Sequence, residues 1–144
     1  MNEDYCSYEL SKALKAAGFD EPCDHYYARR GIIGDSFRLY DAYSGMQHQN
    51  SKYSTASAPT LYHAQKWLRE KCGIHIDVCT YSDYSTDADG KVCDRWDFWG
   101  FDLYMVIGGA KITDDDGEYD SYEEALEQGI SYALDLLAGK EGDV

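Results

Sequence analysis

Ile74-His75-Ile76-Asp77-Val78-Cys79 is the stretch on which the fold turns. Ile74, Ile76 and Val78 alternate with His75, Asp77 and Cys79, the period of two expected of a half-buried strand. Residues 96–107 repeat the pattern at greater length. Trp99, Phe101, Leu103, Met105 and Ile107 fall on one face, and Phe98, Asp102, Tyr104 and Val106 on the other. The connecting segment 84–95 holds Asp89-Gly90, a hairpin-turn signal because such turns need positive φ. Two strands joined in this way are antiparallel.

Three helices flank this pair. Over residues 7–17, Leu10, Ala13, Leu14 and Ala17 recur at helical spacing before Gly18, a left-handed cap candidate, and Pro22 blocks a restart. Over 60–72, Thr60 can cap the start, Leu61, Ala64 and Leu68 form an inward stripe flanked by Trp67, and Gly73 ends it. The third begins at Ser121-Tyr122-Glu123-Glu124, a capping box in which Glu124 returns to the cap backbone. Tyr122, Ala125, Leu126, Ile130, Ala133, Leu134 and Leu137 then trace one face. A weaker hairpin is read over 25–30 and 36–43, around Gly31 and Gly34. Segment 44–58, rich in Ser, Gln, Asn and Gly, is read as a flexible loop.

The expected fold is α+β: an antiparallel sheet of about four strands, with three helices mainly on one face. The other face keeps tyrosines, His75, Asp77 and Asp102 nearer water. At 144 residues, 44% hydrophobic, the chain reads as a single domain over 1–144, with residues 1–6 and 139–144 frayed. The acidic start lacks a basic and apolar leader, and no apolar run reaches bilayer length, so a cytoplasmic location is expected. Five cysteines at irregular spacing read as free thiols of a reducing compartment.

Two stretches carry a likeness. One is Ser57-Ala58-Pro59-Thr60, with Gln65-Lys66-Trp67-Leu68-Arg69-Glu70 and the strand from Ile74 to Val78. The other is Tyr119-Asp120-Ser121-Tyr122-Glu123-Glu124-Ala125-Leu126, with Gly129-Ile130 and Ala133-Leu134. Together they resemble small proteins of phages and other mobile elements of gut Bacteroidetes, a group with no assigned activity. The resemblance implies a compact α+β domain in a bacterial or phage setting. It transfers no functional residue.

Chemical motifs are sparse. Asp87, Asp89 and Gly90 align with part of a calcium loop, but its twelfth position is Trp96, which offers no carboxylate. Asp114, Asp116, Gly117 and Glu123 align better, yet the first ligand becomes Ile112. Both read as Asp-Gly turns, one within a hairpin and one before a helix. Cys72, His75 and Cys79 do not have a common zinc spacing, and a fourth ligand is missing. Pairs of a cysteine with His25, His48, His63 or His75 can be drawn, but no local feature marks an activated thiol. Neither a cofactor nor a metal is expected.

Charge is the remaining signal. Residues 1–72 hold nine Lys+Arg and nine Asp+Glu, so the whole net charge of −14 belongs to residues 73–144. Such a field disfavours nucleic acid and anionic membranes as partners and leaves a basic protein open. Asp83, Asp87, Asp89, Asp94 and Asp97 crowd one hairpin. Asp114, Asp115, Asp116 and Glu118 crowd the approach to the last helix, and Tyr81 and Tyr84 lie beside the first cluster. For a straight strand the clusters sit at opposite ends, about 35 Å apart, as an acidic band. These eleven residues are the candidate partner-binding set. They point to a non-catalytic interaction domain, with an acidic inhibitor of a basic host protein or self-association as its versions. A metal- or Cys-dependent enzyme is the alternative.

Overall fold

A computed structural model describes residues 4–29, 36–42 and 46–139, with only the backbone for 114–116. The order is α1 (Tyr8–Ala16), β1 (His25–Arg29), β2 (Phe37–Asp41), β3 (Ala56–Ser57), α2 (Leu61–Lys71), β4 (Ile74–Thr86), β5 (Val92–Met105), β6 (Lys111–Tyr119) and α3 (Tyr122–Leu137). The fold is α+β with antiparallel pairing throughout. The described strands divide between two three-stranded sheets, β2-β1-β3 and β4-β5-β6.

The helix ends follow from their caps. Ser7 Oγ accepts from Leu10 N, Thr60 Oγ1 from His63 N and Ser121 Oγ from Glu124 N, each satisfying an otherwise orphaned donor. The return bond of the third cap reaches one residue further than expected, since Glu124 Oε2 accepts from Asp120 N. Gly18 and Gly73 end the first two helices at φ +100° and +71°, a conformation that penalises a side chain.

The core lies between the larger sheet and the helices. Ile74, Ile76, Phe101 and Leu103 meet Leu61, Ala64, Trp67 and Leu68 of α2 and Leu126, Ile130, Ala133 and Leu134 of α3, with Leu10 and Leu14 of α1 closing the cluster. Close approach of α3 depends on Gly129, where an added Cβ would stand 2.7 Å from Ile76 Cγ2.

The small sheet and its surroundings depart from expectation. Segment 46–58 is built in, not loose: His48, Asn50, Ala56, Ser57 and Ala58 are buried. Its polar residues satisfy buried backbone. Asn50 Nδ2 donates to Phe19 O and Asn50 Oδ1 accepts from Ser57 N. Lys15 Nζ donates to the carbonyls of Tyr53, Ser54 and Thr55 at 3.1, 2.9 and 3.0 Å. Cys6, expected in a frayed end, is fully buried, and its N–H donates to Pro59 O. The expectation of fraying at 1–3 and 140–144, and the segment 30–35 between the weaker pair of strands, lie outside the described residues.

Two further corrections concern the large sheet. The hairpin is longer than read, since 84–86 and 92–95 of the connecting segment are strand and not loop. Segment 111–119 is strand too, not a turn before the last helix. Gly108 and Gly109, at φ +85° and +66°, reverse the chain so that β6 returns along β5.

Candidate functional site

The β4–β5 hairpin has a base and an arm. In the base, Ile76 pairs with Leu103 and Val78 with Phe101 beneath α2 and α3. β6 extends this sheet only as far as the pair Trp99–Tyr119. Beyond that pair the two strands continue alone, and every residue from 82 to 97 is exposed. At the tip, Asp87 Oδ1 accepts from Asp89 N and Lys91 N at 2.9 and 3.0 Å, and Gly90 takes φ +81°. The first Asp-Gly is therefore a turn held by its own aspartate.

The arm carries Asp83, Asp87, Asp89, Asp94 and Asp97 together with three exposed large apolar side chains, Tyr84, Val92 and Trp96. Cross-strand register places Asp83 opposite Trp96, Ser85 opposite Asp94 and Tyr81 opposite Phe98 on the face away from the helices. Tyr81 and Phe98 stack with centroids 5.6 Å apart. The helix-side face holds Ser82, Tyr84, Val92 and Arg95, which line a groove of about 540 Å³. There Asp97 accepts from Ser82 Oγ and lies 4.0 Å from Arg95 Nε.

The second acidic cluster is not at the far end of the strand. Asp114 lies opposite Asp102 in the backbone register and Asp115 opposite Phe101, in the base half of β5 and short of its end at Met105. The two-ended band is therefore replaced by an acidic arm, with a second run beside its root. Glu118 is exposed there. The side chains of Asp114, Asp115 and Asp116 lie outside the described residues.

Where arm meets base sits a buried carboxylate that pattern reading placed near water. Asp102 is 7% exposed. It accepts from Tyr81 Oη at 3.4 Å and Cys79 Sγ at 3.8 Å, and Lys111 Nζ lies 3.7 Å away. Cys79 also faces Asp77 Oδ2 at 3.5 Å. Desolvation and then the neighbouring carboxylates push the Cys79 thiol up to about 11. Desolvation, followed by the charge of Asp102, pushes Tyr81 up to about 12. Both groups stay protonated and donate.

Among the described residues, Asp77, Cys79 and Asp102 are the set whose ligand atoms, all within 4.8 Å, could hold a metal. Lys111 already supplies positive charge to it. The sequence candidate Cys72, His75 and Cys79 does not assemble. Cys72 caps α2, and four strand residues hold His75 and Cys79 about 13 Å apart.

The imidazoles of His25, His48 and His63 meet oxygens, not thiols. His48 stacks between Tyr26 and Tyr53, both at 4.8 Å, with its nitrogens 2.6 Å from Ser57 Oγ and Thr55 Oγ1. Ser57 is fully buried, so this Ser–His pair meets no substrate. His63 pairs with Glu21 at 2.8 Å and His25 with Asp41. Burial pushes Cys6, Cys72 and Cys23 up, Cys23 to about 12, opposite to the shift a nucleophile needs.

Sequence reading missed Trp96, Val92 and Lys111. Strong β propensity in Thr80-Tyr81-Ser82 and Val92-Cys93 was the available signal for the arm. No protein-family model matches the chain. Neither the curated proteins nor the solved structures give a match.

Proposed function

We propose that this is a non-catalytic protein-interaction domain whose exposed hairpin arm holds a basic partner. One observation carries the reading: residues 82–97 are all exposed, yet 82–86 and 92–97 pair as strands, and the segment bears five aspartates and three large apolar side chains. An isolated two-stranded ribbon contributes little to stability, so the fold gains little from its length. Exposed aromatic groups within a charged rim are the composition of an interface. No helix among the described residues is long and apolar enough to cross a membrane. A cytoplasmic setting and phage or mobile-element origin, with a basic host protein as target, extend the same proposal. Their support is the sequence resemblance and the charge.

The test is affinity capture from bacterial lysate by the wild-type chain and by a variant with Asp83, Asp87, Asp89, Asp94 and Asp97 each changed to Asn. A basic protein retained by wild type, released by salt and absent with the variant supports the reading. An identical captured set from both chains contradicts it.

The metal-dependent alternative rests on Asp77, Cys79 and Asp102. A melting temperature raised several degrees by zinc and lowered by chelator would favour it; the interaction reading expects no change.

A further inference from the structure

Backbone geometry tells how such a partner is held. Val106 N donates to Gly73 O, and Asp87 N to Lys91 O, so the odd-numbered residues of β4 aim N–H and C=O at β5. The even-numbered residues therefore aim theirs at the outer edge. At the root, that edge is covered: Gln65 Nε2 of α2 donates to Ile76 O at 2.9 Å. Further out, among the described residues, no hydrogen bond engages the backbone of Thr80 or Ser82. Natural sheets usually blunt such an edge, and here both residues are exposed.

The faces beside this edge differ. Ser82 and Tyr84 share the helix-side face with Val92, over the groove. Asp77 and Asp83 share the other. An added strand with alternating residues would lay apolar side chains toward Tyr84 and basic ones toward Asp77 and Asp83. A second copy of this chain would instead bring aspartates against aspartates.

We infer that the outer edge of β4 at Thr80 and Ser82 takes up an extended, basic, alternating polypeptide segment as an additional strand. The inference rests on the arm reading above and adds the mode of binding. Main-chain bonds supply affinity in such strand addition, and alternate side chains supply selectivity.

The test uses the full chain and two synthetic nine-residue peptides of alternating lysine and valine. One is unmodified, and the other is N-methylated at each valine to remove donors from one edge. The unmodified peptide should bind about tenfold more tightly or better, because the donors to Thr80 O and Ser82 O separate the two. It should also slow hydrogen exchange at Thr80 and Ser82. Ser82→Pro removes an outward donor that would pair with a peptide carbonyl, without breaking the β4–β5 ladder, and should weaken binding of the unmodified peptide. If that variant unfolds, the peptide pair on the wild-type chain still decides. Equal affinities with unchanged exchange overturn strand addition but leave an acidic arm that binds cations. Failure of both peptides to bind overturns the arm reading with it. A concentration-dependent dimer whose interface protects Thr80 and Ser82 assigns the edge to a second copy and overturns the choice of a basic partner.

Discussion

The base and the arm of the β4–β5 hairpin are one pair of strands in two solvents. Ile76, Phe101 and Leu103 are at most 1% exposed, whereas Tyr84 and Val92 are about 60% exposed. Apolar alternation in the base is enforced by helices on one side. In the arm neither face is covered, so polar and aromatic residues mix freely. One ladder thus serves stability near its root and presentation near its tip.

The largest effect should come from the base. Leu103→Ala removes a fully buried side chain under α2 and α3 and should cost about 2–5 kcal/mol, measured by urea denaturation. Gly129→Ala comes next. Its Cβ meets Ile76 at 2.7 Å and Phe101 at 3.3 Å, so strain of about 1–3 kcal/mol is expected by the same measurement. Val92→Ala in the arm should stay within about 0.5 kcal/mol of wild type. A loss comparable to Leu103→Ala would erase the distinction between the halves.

The junction should show itself in alkali. Cys79 and Tyr81 hold their protons more tightly when folded, with values raised from 9.0 to about 11 and from 10.0 to about 12. Their contribution is therefore complete below the unfolded values and is lost as pH rises through 11 and 12. The urea midpoint should fall over that range, and the double variant Cys79→Ser with Tyr81→Phe should fall less. Smallest in energy is thiol access. Mass spectrometry under limiting iodoacetamide should find Cys93 of the arm modified before Cys79, with the buried Cys6 and Cys23 last.

How far these halves were legible follows from what writes the pattern. Ile74 to Val78 and Trp99 to Leu103 announce themselves because the helices pack on one face and select an apolar residue at every second position. Thr60 and Ser121 announce two of the helices because a cap needs a side-chain oxygen to accept from the first turn's N–H groups. The arm has no buried face, so its period vanishes, and only β propensity remained to distinguish it from loop. β6 was hidden by Asp114-Asp115-Asp116-Gly117, a run that composition assigns to a turn. Gly108-Gly109 carried the contrary signal. Segment 46–58 was misread for another reason: Asn50 and His48 are polar because they satisfy buried groups, and composition alone does not separate that role from solvation. The candidate aspartates of the arm were legible as charge. Burial of Asp102 was not, because it depends on Lys111 arriving from a strand the pattern did not show.

The most direct test removes the arm. Replacing residues 82–97 by Asn-Gly joins Tyr81 to Phe98 through a two-residue turn suited to this hairpin. Stability within about 1 kcal/mol of wild type, together with complete loss of binding to the unmodified lysine–valine peptide, is the expected result. A shortened chain that unfolds, or one that still binds the peptide as wild type does, would contradict it.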